Sequence, residues 1–512
     1  MVQVAGEPTT DGSRAEPYWC QLDLVLVATV AAGTVLRLWG LGAQSLWYDE
    51  WSSSEATRGS LPDLFHYVAN REGSPPTYFL VLWGWRRLFG DSELALRSLS
   101  ALAGTATIPV VYAAVRELGL RRTVARIAAL ITAVHPMLVW YSQEARPYTV
   151  LSLLGAMSLL TFARVWNHPE RRDLGIWASV AASAVAVHYF AVFLVLAEGA
   201  ALLIGRRRSW RELAVAGLPS AVVLAALAPI IRAQDSRVGP RRWITDFTLL
   251  DRLRETRLAS LVGPSPFDDR IWALLAGLVL VAVVLVVVRS SGDERRTAVL
   301  VAGIGSAAVV FPLLAVPLRL DAVVSRYLIA AVVPGVIVVA IGVAAPRTLG
   351  VGPAVLTTIT VVSVACSVAV ARDPDLQRPE WEAAADGFAA GSGPRVLVVN
   401  LHGVIASPLL HYADDARVLG EDEAVRVEEV DVLVAKPTTA PCNFLVGRAC
   451  SLVFLGAPPP APLADKLHLA DSVDSDQFRV DRYRADGSIE VAKTDLVSPA
   501  DLPDSLVLFI QE

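Results

Sequence analysis

The chain has 512 residues, of which 54% are hydrophobic and 19% charged, with a formal net charge of −5 and a mean hydropathy of +0.49. That is too long for one ordinary domain and too apolar for a soluble one. The small net charge, with no basic patch interleaved with aromatics, argues against a nucleic-acid partner.

Residues 1–21 are polar and mixed in charge, as expected of a cytoplasmic N-terminal segment. The apolar block 22–39 has no small-x-small cleavage site behind it and reads as a retained span, not a removable signal peptide. Further apolar blocks follow at 75–90, 95–115, 123–141, 148–166, 174–187, 190–205, 211–232, 271–289, 298–317, 326–344 and 351–371. Their lengths suit a hydrocarbon core of about 30 Å, so 22–371 is expected to be a transmembrane domain of 11–13 spans.

Arginines set the orientation. Arg171-Arg172, Arg206-Arg207-Arg208, Arg295-Arg296 and Arg347 fall in short loops that alternate as cytoplasmic, which places His188, the loop 233–270, the loop before Arg326 and everything after Ala371 outside. The early part conflicts: Arg86-Arg87 and the cluster from Arg116 to Arg122 both favour the cytoplasm with a single block between them. Either a segment within 75–115 is re-entrant or interfacial, or one cluster breaks the rule.

From Arg372 onward Gly, Pro and Asp rise and the apolar runs shorten to strand length at 396–399, 430–434, 451–455 and 506–510, with a helical stretch at 380–390. Residues 372–512 therefore read as a small extracytoplasmic α/β domain. Of the four cysteines, Cys20, Cys366, Cys442 and Cys450, none pair at metal-knuckle or redox spacing. Cys442 and Cys450 both fall in the outer domain, where either a disulfide or two buried thiols fit.

Polar residues gather at the outward ends of the spans. The outer loop 40–74 contains Leu46-Trp47-Tyr48-Asp49-Glu50-Trp51, two acids within an aromatic belt, followed by a helical stretch over 52–70 suited to the membrane surface. A carboxylate there can take a proton from an acceptor hydroxyl, or bind a metal that does the same work. Tyr141-Ser142-Gln143-Glu144-Ala145-Arg146-Pro147-Tyr148 joins two apolar blocks; in lipid its charges must face a cavity, each other or headgroups. His188-Tyr189 and Ser325-Arg326-Tyr327 lie on the same side, and arginine suits either a snorkelling anchor or a phosphate grip. The loop 233–270, with Gln234, Asp235, Arg237, Arg241, Arg242, Trp243 and Asp246, is polar enough to lid such a cavity.

These pieces, together with Pro334 and the run Pro379-Glu380-Trp381, resemble the GT-C-fold glycosyltransferases, most closely the bacterial family 39 relatives of protein O-mannosyltransferases and lipid A aminoarabinose transferases. The likeness runs over most of 20–400. It implies a polytopic α-helical GT-C fold and transfer of a hexose or pentose, as in mannosyl- or arabinosyltransferases of the cell wall. The donor would be a polyprenyl-phosphate sugar in the membrane, the acceptor a glycan, lipid or protein hydroxyl, and the outcome inversion at the outer face of the plasma membrane. Asp49 is the implied base and Glu50 its helper. Glu144, Arg146, Tyr148, Tyr189, Arg326 and Tyr327 are implied substrate contacts, with Arg326 on the donor phosphate. A divalent metal at Glu144 and His188 is a further implied option. Many relatives carry histidine or lysine before the Pro-Pro that opens the next block; here Ser74 precedes Pro75-Pro76, and Arg71 is the candidate replacement. The competing classes are a transporter or lipid flippase, disfavoured by the lack of related halves and mid-span charges, and a non-catalytic cell-wall-binding scaffold.

Overall fold

The computed structural model describes residues 23–168, 170–205, 207–236, 244, 247–263, 269–318, 321–399, 407–413, 415–421, 423–436, 463, 465–497 and 506–511. The segment 1–21, Cys20, Cys442, Cys450, the expected strand 451–455, and Arg206, Arg237, Arg241, Arg242, Trp243 and Asp246 lie outside the described residues.

The first part is a helical bundle: α1 (Leu24–Leu38), α2 (Tyr48–Arg58), α3 (Leu61–Arg71), α4 (Pro76–Phe89), α5 (Glu93–Glu117), α6 (Arg122–Val134), α7 (Pro136–Ser142), α8 (Tyr148–Asn167), α9 (Arg171–Val187), α10 (Ala191–Ile204), α11 (Trp210–Ser236), α12 (Leu249–Val262), α13 (Asp269–Arg289), α14 (Gly292–Ala315), α15 (Val332–Val343) and α16 (Val351–Arg372). A 3₁₀ turn, Ser325–Ala331, leads into α15. Among the described residues seven helical segments are long and apolar enough to cross a membrane, eight if the bent pair α6 and α7 is one span. The apolar α1 and α10 are shorter.

Local chemistry explains the breaks. Pro136 lacks an amide hydrogen and pushes His135 into extended backbone, so the expected span 123–141 bends by 55° between α6 and α7. The buried guanidinium of Arg37 donates to the carbonyls of Ala133 (2.8 Å) and Thr132 (3.2 Å), acceptors that the break would orphan, and to Gly33 of its own helix (2.9 Å). The expected surface helix 52–70 is two helices, because Ser60 and Asp63 form a capping box that starts α3 anew. Gly342 lets α15 approach α13 closely: a Cβ there would stand 2.0 Å from the Ala282 carbonyl.

The loops of one end tie to one another. Arg121 pairs with Glu294 (2.7 Å) and donates to Ala344 O, Asn167 donates to Glu117 O, and Arg208 to Glu170 O. Asp23, at the start of α1, joins Arg126 and Tyr112. The opposite end carries α2, α3, the 143–147 connector and the C-terminal sheet. This arrangement corrects the expected span 75–90. At 14 residues α4 is short of a crossing, and both its ends lie at the sheet-bearing end of the bundle. Its start adjoins Ser74, whose carbonyl accepts from Gln234; at its finish Arg86 donates to Ser54 O and Arg87 to Gly59 O, both 2.8 Å. Arg86-Arg87 thus lies at the sheet-bearing end of the bundle, away from Arg121.

Beyond α16, α17 (Trp381–Ala389) covers a six-stranded sheet of β1 (Arg395–Val399), β2 (Arg417–Val418), β3 (Ala424–Ala435), β4 (Leu467–Asp474), β5 (Phe478–Ala492) and β6 (Leu506–Ile510), in the order β2-β6-β1-β3-β5-β4. Among the described residues only β1 and β3 run parallel. Trp381 and Phe388 of α17 pack on Leu397, Leu433 and Phe478; Val396, Val427, Val491 and Phe509 fill the other face. Strands β1, β3 and β6 cover the expected apolar runs. The charged, alternating β4 and β5 were not foreseen, since one of their faces is polar.

Candidate active site

Asp49 and Glu50 occupy the first turn of α2, where the helix N-terminus favours carboxylates. Adjacent helical residues point about 100° apart, so the two acids meet different surroundings. Asp49, 17% exposed, lies 3.3 Å from Arg326 Nη1 and 4.0 Å from Arg146 Nε. Glu50 is fully buried: Arg97 grips both its oxygens at 2.7 Å, the Ala145 amide donates to it at 2.9 Å, and Arg378 Nε stands 3.2 Å away. Burial raises its pKa, but Arg378 and Arg97 outweigh that and hold it below the usual carboxylate range. Asp49 faces Arg326 and Arg146; Glu50 faces Arg97 and Arg378 and anchors the helix.

Arg146 is the hub of this region. It donates to Asp49 O and Ser53 Oγ, both 3.1 Å, and makes a two-pronged pair with Glu72 at 2.9 and 3.1 Å. Ser52 Oγ donates to the same Glu72 at 2.7 Å. The inward acid of the 71–72 pair is therefore Glu72, while Arg71 is exposed at the end of α3.

The guanidinium carbon of Arg326 lies 5.8 Å from the Trp47 ring, 5.7 Å from Tyr148 and 6.0 Å from Tyr327. His188 is buried among these rings, 4.8 Å from Tyr327 and 6.1 Å from Tyr148, and its Nδ1 accepts from the Phe190 amide. Tyr189 instead donates to Gln234 (3.1 Å), which in turn donates to the Val68 and Ser74 carbonyls. Below Arg326, Ser325 Oγ donates to Glu255 of α12 at 2.8 Å; burial pushes the Glu255 carboxyl up to about 7 against the pull of Ser325 and Arg326.

The structure thus brings Asp49, Arg146, Tyr148, His188, Arg326 and Tyr327 to one place, although Asp49 and Tyr327 are 278 positions apart (327 − 49) in the chain. Glu144 lies behind it, buried and 3.8 Å from Arg378 Nη2. Among the described residues no three His, Cys, Asp or Glu side chains gather to hold a metal ion. Glu144 has an arginine for its ionic neighbour and His188 has rings, so the two residues expected to bind a metal do not fit a metal centre. Glu72, Arg97, Glu255 and Arg378 were missed as site residues. Arg97, a charge inside an apolar block, carried a signal in sequence; Glu255, within a charged loop, carried none.

Residues 73–232 match the family model described as dolichyl-phosphate-mannose-protein mannosyltransferase. No curated protein matches the chain. Among solved structures it is similar to ArnT from Cupriavidus metallidurans bound to undecaprenyl phosphate, with 14% identity and a TM-score of 0.55 over 89% of this chain and 97% of that one. The apo ArnT structure gives 15% identity and a TM-score of 0.56 over the same 89% and 97%. Arabinofuranosyltransferase AftD from Mycobacteria, at 15% identity and a TM-score of 0.48, covers 91% of this chain and 40% of its own, a likeness too slight to argue from. The chain is a multi-pass membrane protein of the GT-C fold, and its residues 73–232 carry a similarity to the dolichyl-phosphate-mannose-protein mannosyltransferases.

Proposed function

We propose that this protein is a membrane glycosyltransferase that moves a sugar from a polyprenyl-phosphate donor to an acceptor hydroxyl, with inversion, at the outer face of the plasma membrane. The observation that carries the reading is a largely buried carboxylate, Asp49, set 3.3 Å from a buried arginine that is ringed by aromatic side chains. The basic loops at the opposite end of the bundle suit the cytoplasm, which supports an outer location for Asp49 and the C-terminal domain.

In this reading the acceptor oxygen attacks the anomeric carbon as its proton passes to Asp49. The bond from that carbon to the phosphate oxygen breaks, and polyprenyl phosphate leaves with the electron pair. Arg326 takes up the charge developing on the phosphate, and its aromatic surroundings exclude water that would weaken this. Arriving phosphate competes with Asp49 for the Arg326 guanidinium, which loosens the ion pair and frees the carboxylate to meet the acceptor hydroxyl. Arg146, held by Glu72, fixes the far side of Asp49. Tyr148 and Tyr327 offer faces and hydroxyls to the sugar, and His188 is within reach of it. A phosphate leaving group needs no general acid.

The test is Asp49→Asn in membranes supplied with labelled polyprenyl-phosphate sugars. Transfer is expected to fall by about 10²–10⁴-fold with donor binding kept; unchanged transfer would remove Asp49 from the role of base.

A further inference from the structure

We propose that Arg378, on the segment joining α16 to α17, is a positioning residue for Asp49, acting through Glu50 and Glu144. Its side chain is 1% exposed and stands between two acids from different elements. Nε is 3.2 Å from Glu50 and Nη2 is 3.8 Å from Glu144, while the Arg378 amide donates to Gln44 Oε1 at 3.1 Å. Its guanidinium carbon lies 4.4 Å from the Trp140 ring.

Each acid is next to a residue that shapes the pocket. Glu50 follows Asp49 directly on α2, so the direction in which Glu50 is pulled sets the rotation of that first turn and hence where Asp49 points. Glu144 precedes by two residues Arg146, the guanidinium on the far side of Asp49. The link between the two is short, since the Ala145 amide donates to Glu50. One guanidinium from the C-terminal domain therefore spans the base-bearing turn and the connector that carries Arg146. Arg97 holds Glu50 to α5, and its hydrogen bonds among the described residues go to Glu50, Leu41, Gln44 and Ser45, not to Glu144.

The position of Asp49 is read without any assay of turnover, in full-length protein in lipid nanodiscs. Asp49→Cys is treated with a negatively charged methanethiosulfonate, and modification is followed by peptide mass spectrometry, alone and combined with Arg378→Met or Arg378→Lys. A change in rate of about fivefold or more with Arg378→Met, and a smaller one with Arg378→Lys, is expected, because thiol reactivity follows exposure and nearby charge. An unchanged rate in both overturns the proposal. In chains that keep Asp49, Arg378→Met should lower kcat by about 10²-fold, the cost of a small misplacement of a reacting group. Donor KM should stay within about threefold, and Glu50→Gln combined with Arg378→Met should be no worse than Glu50→Gln alone. Additive losses would overturn action through Glu50. The rate measurements rest on the glycosyltransferase reading. If the parent chain moves no sugar while Arg378 still governs modification at position 49, that reading falls and the positioning role stands.

Discussion

Glu144 shows how little of a residue's behaviour is its own. Its carboxyl is fully buried, and neither oxygen accepts a hydrogen bond from a described residue. Burial pushes it up to about 8 from its ordinary 4.5; Arg378 pulls it down, and Glu50 and Asp49 add to the rise. An acid whose pKa is higher folded than unfolded binds more protons in the folded state between those two values. Its contribution is present below the unfolded pKa and is lost as pH climbs from about 4.5 to about 8. Glu50 has the opposite sign: its pKa is lowered on folding, so its contribution is lost as pH falls through the folded value. The thermal stability of detergent-solubilised protein should therefore fall from pH 5 to about 8 more steeply in the parent than in Glu144→Gln. Parallel profiles would show that Glu144 does not titrate in this range.

At the scale of elements, α4 is where composition misleads. Its residues are apolar enough to resemble a span, yet it packs against α2, α3 and α5 and returns to the end where it began. The indole of Trp83 donates to Gly59 O, and Arg87 sits 3.4 Å from the Trp83 ring centroid, which holds the last turn of α4 against the α2–α3 junction. Asp91, just beyond α4, and Asp486, in β5, are both exposed. Cysteines placed at these two positions should react with a membrane-impermeant thiol reagent from the same side. Labelling from opposite sides would mean that α4 crosses after all.

For the whole molecule, the C-terminal domain and the bundle meet on the loop that precedes Asp49. The Leu46 amide donates to Tyr412 Oη (2.7 Å), Tyr412 donates to Glu93 (2.8 Å), and the Glu382 amide donates to Ser45 Oγ (3.1 Å). Fixing these two adjacent residues just ahead of α2 limits the motion of that helix. Tyr412→Phe leaves the Leu46 amide without its partner and should lower stability by about 1–3 kcal/mol, the cost of a buried donor left unpaired. A melting temperature equal to the parent's would show that this contact does not hold the domain in place.

Hydropathy and arginine placement alone marked nearly every helix of the bundle, because a block of apolar residues must find a low-dielectric partner whatever surrounds it. Strands β1, β3 and β6 were legible for the same reason, and the four polar clusters because charge near lipid is costly wherever it stands. Sequence also matched those clusters to a family. The family resemblance pointed to Asp49 as the base, but the residues themselves could not decide which acid meets Arg146 and Arg326, since Asp49 and Glu50 are chemically alike and neighbours. Only folding separates them, by bringing Arg97 and Arg378 to one and Arg146 and Arg326 to the other. The same holds for Glu72, Glu255 and the return of α4: each depends on partners far along the chain, and contacts of that kind leave no local pattern to read.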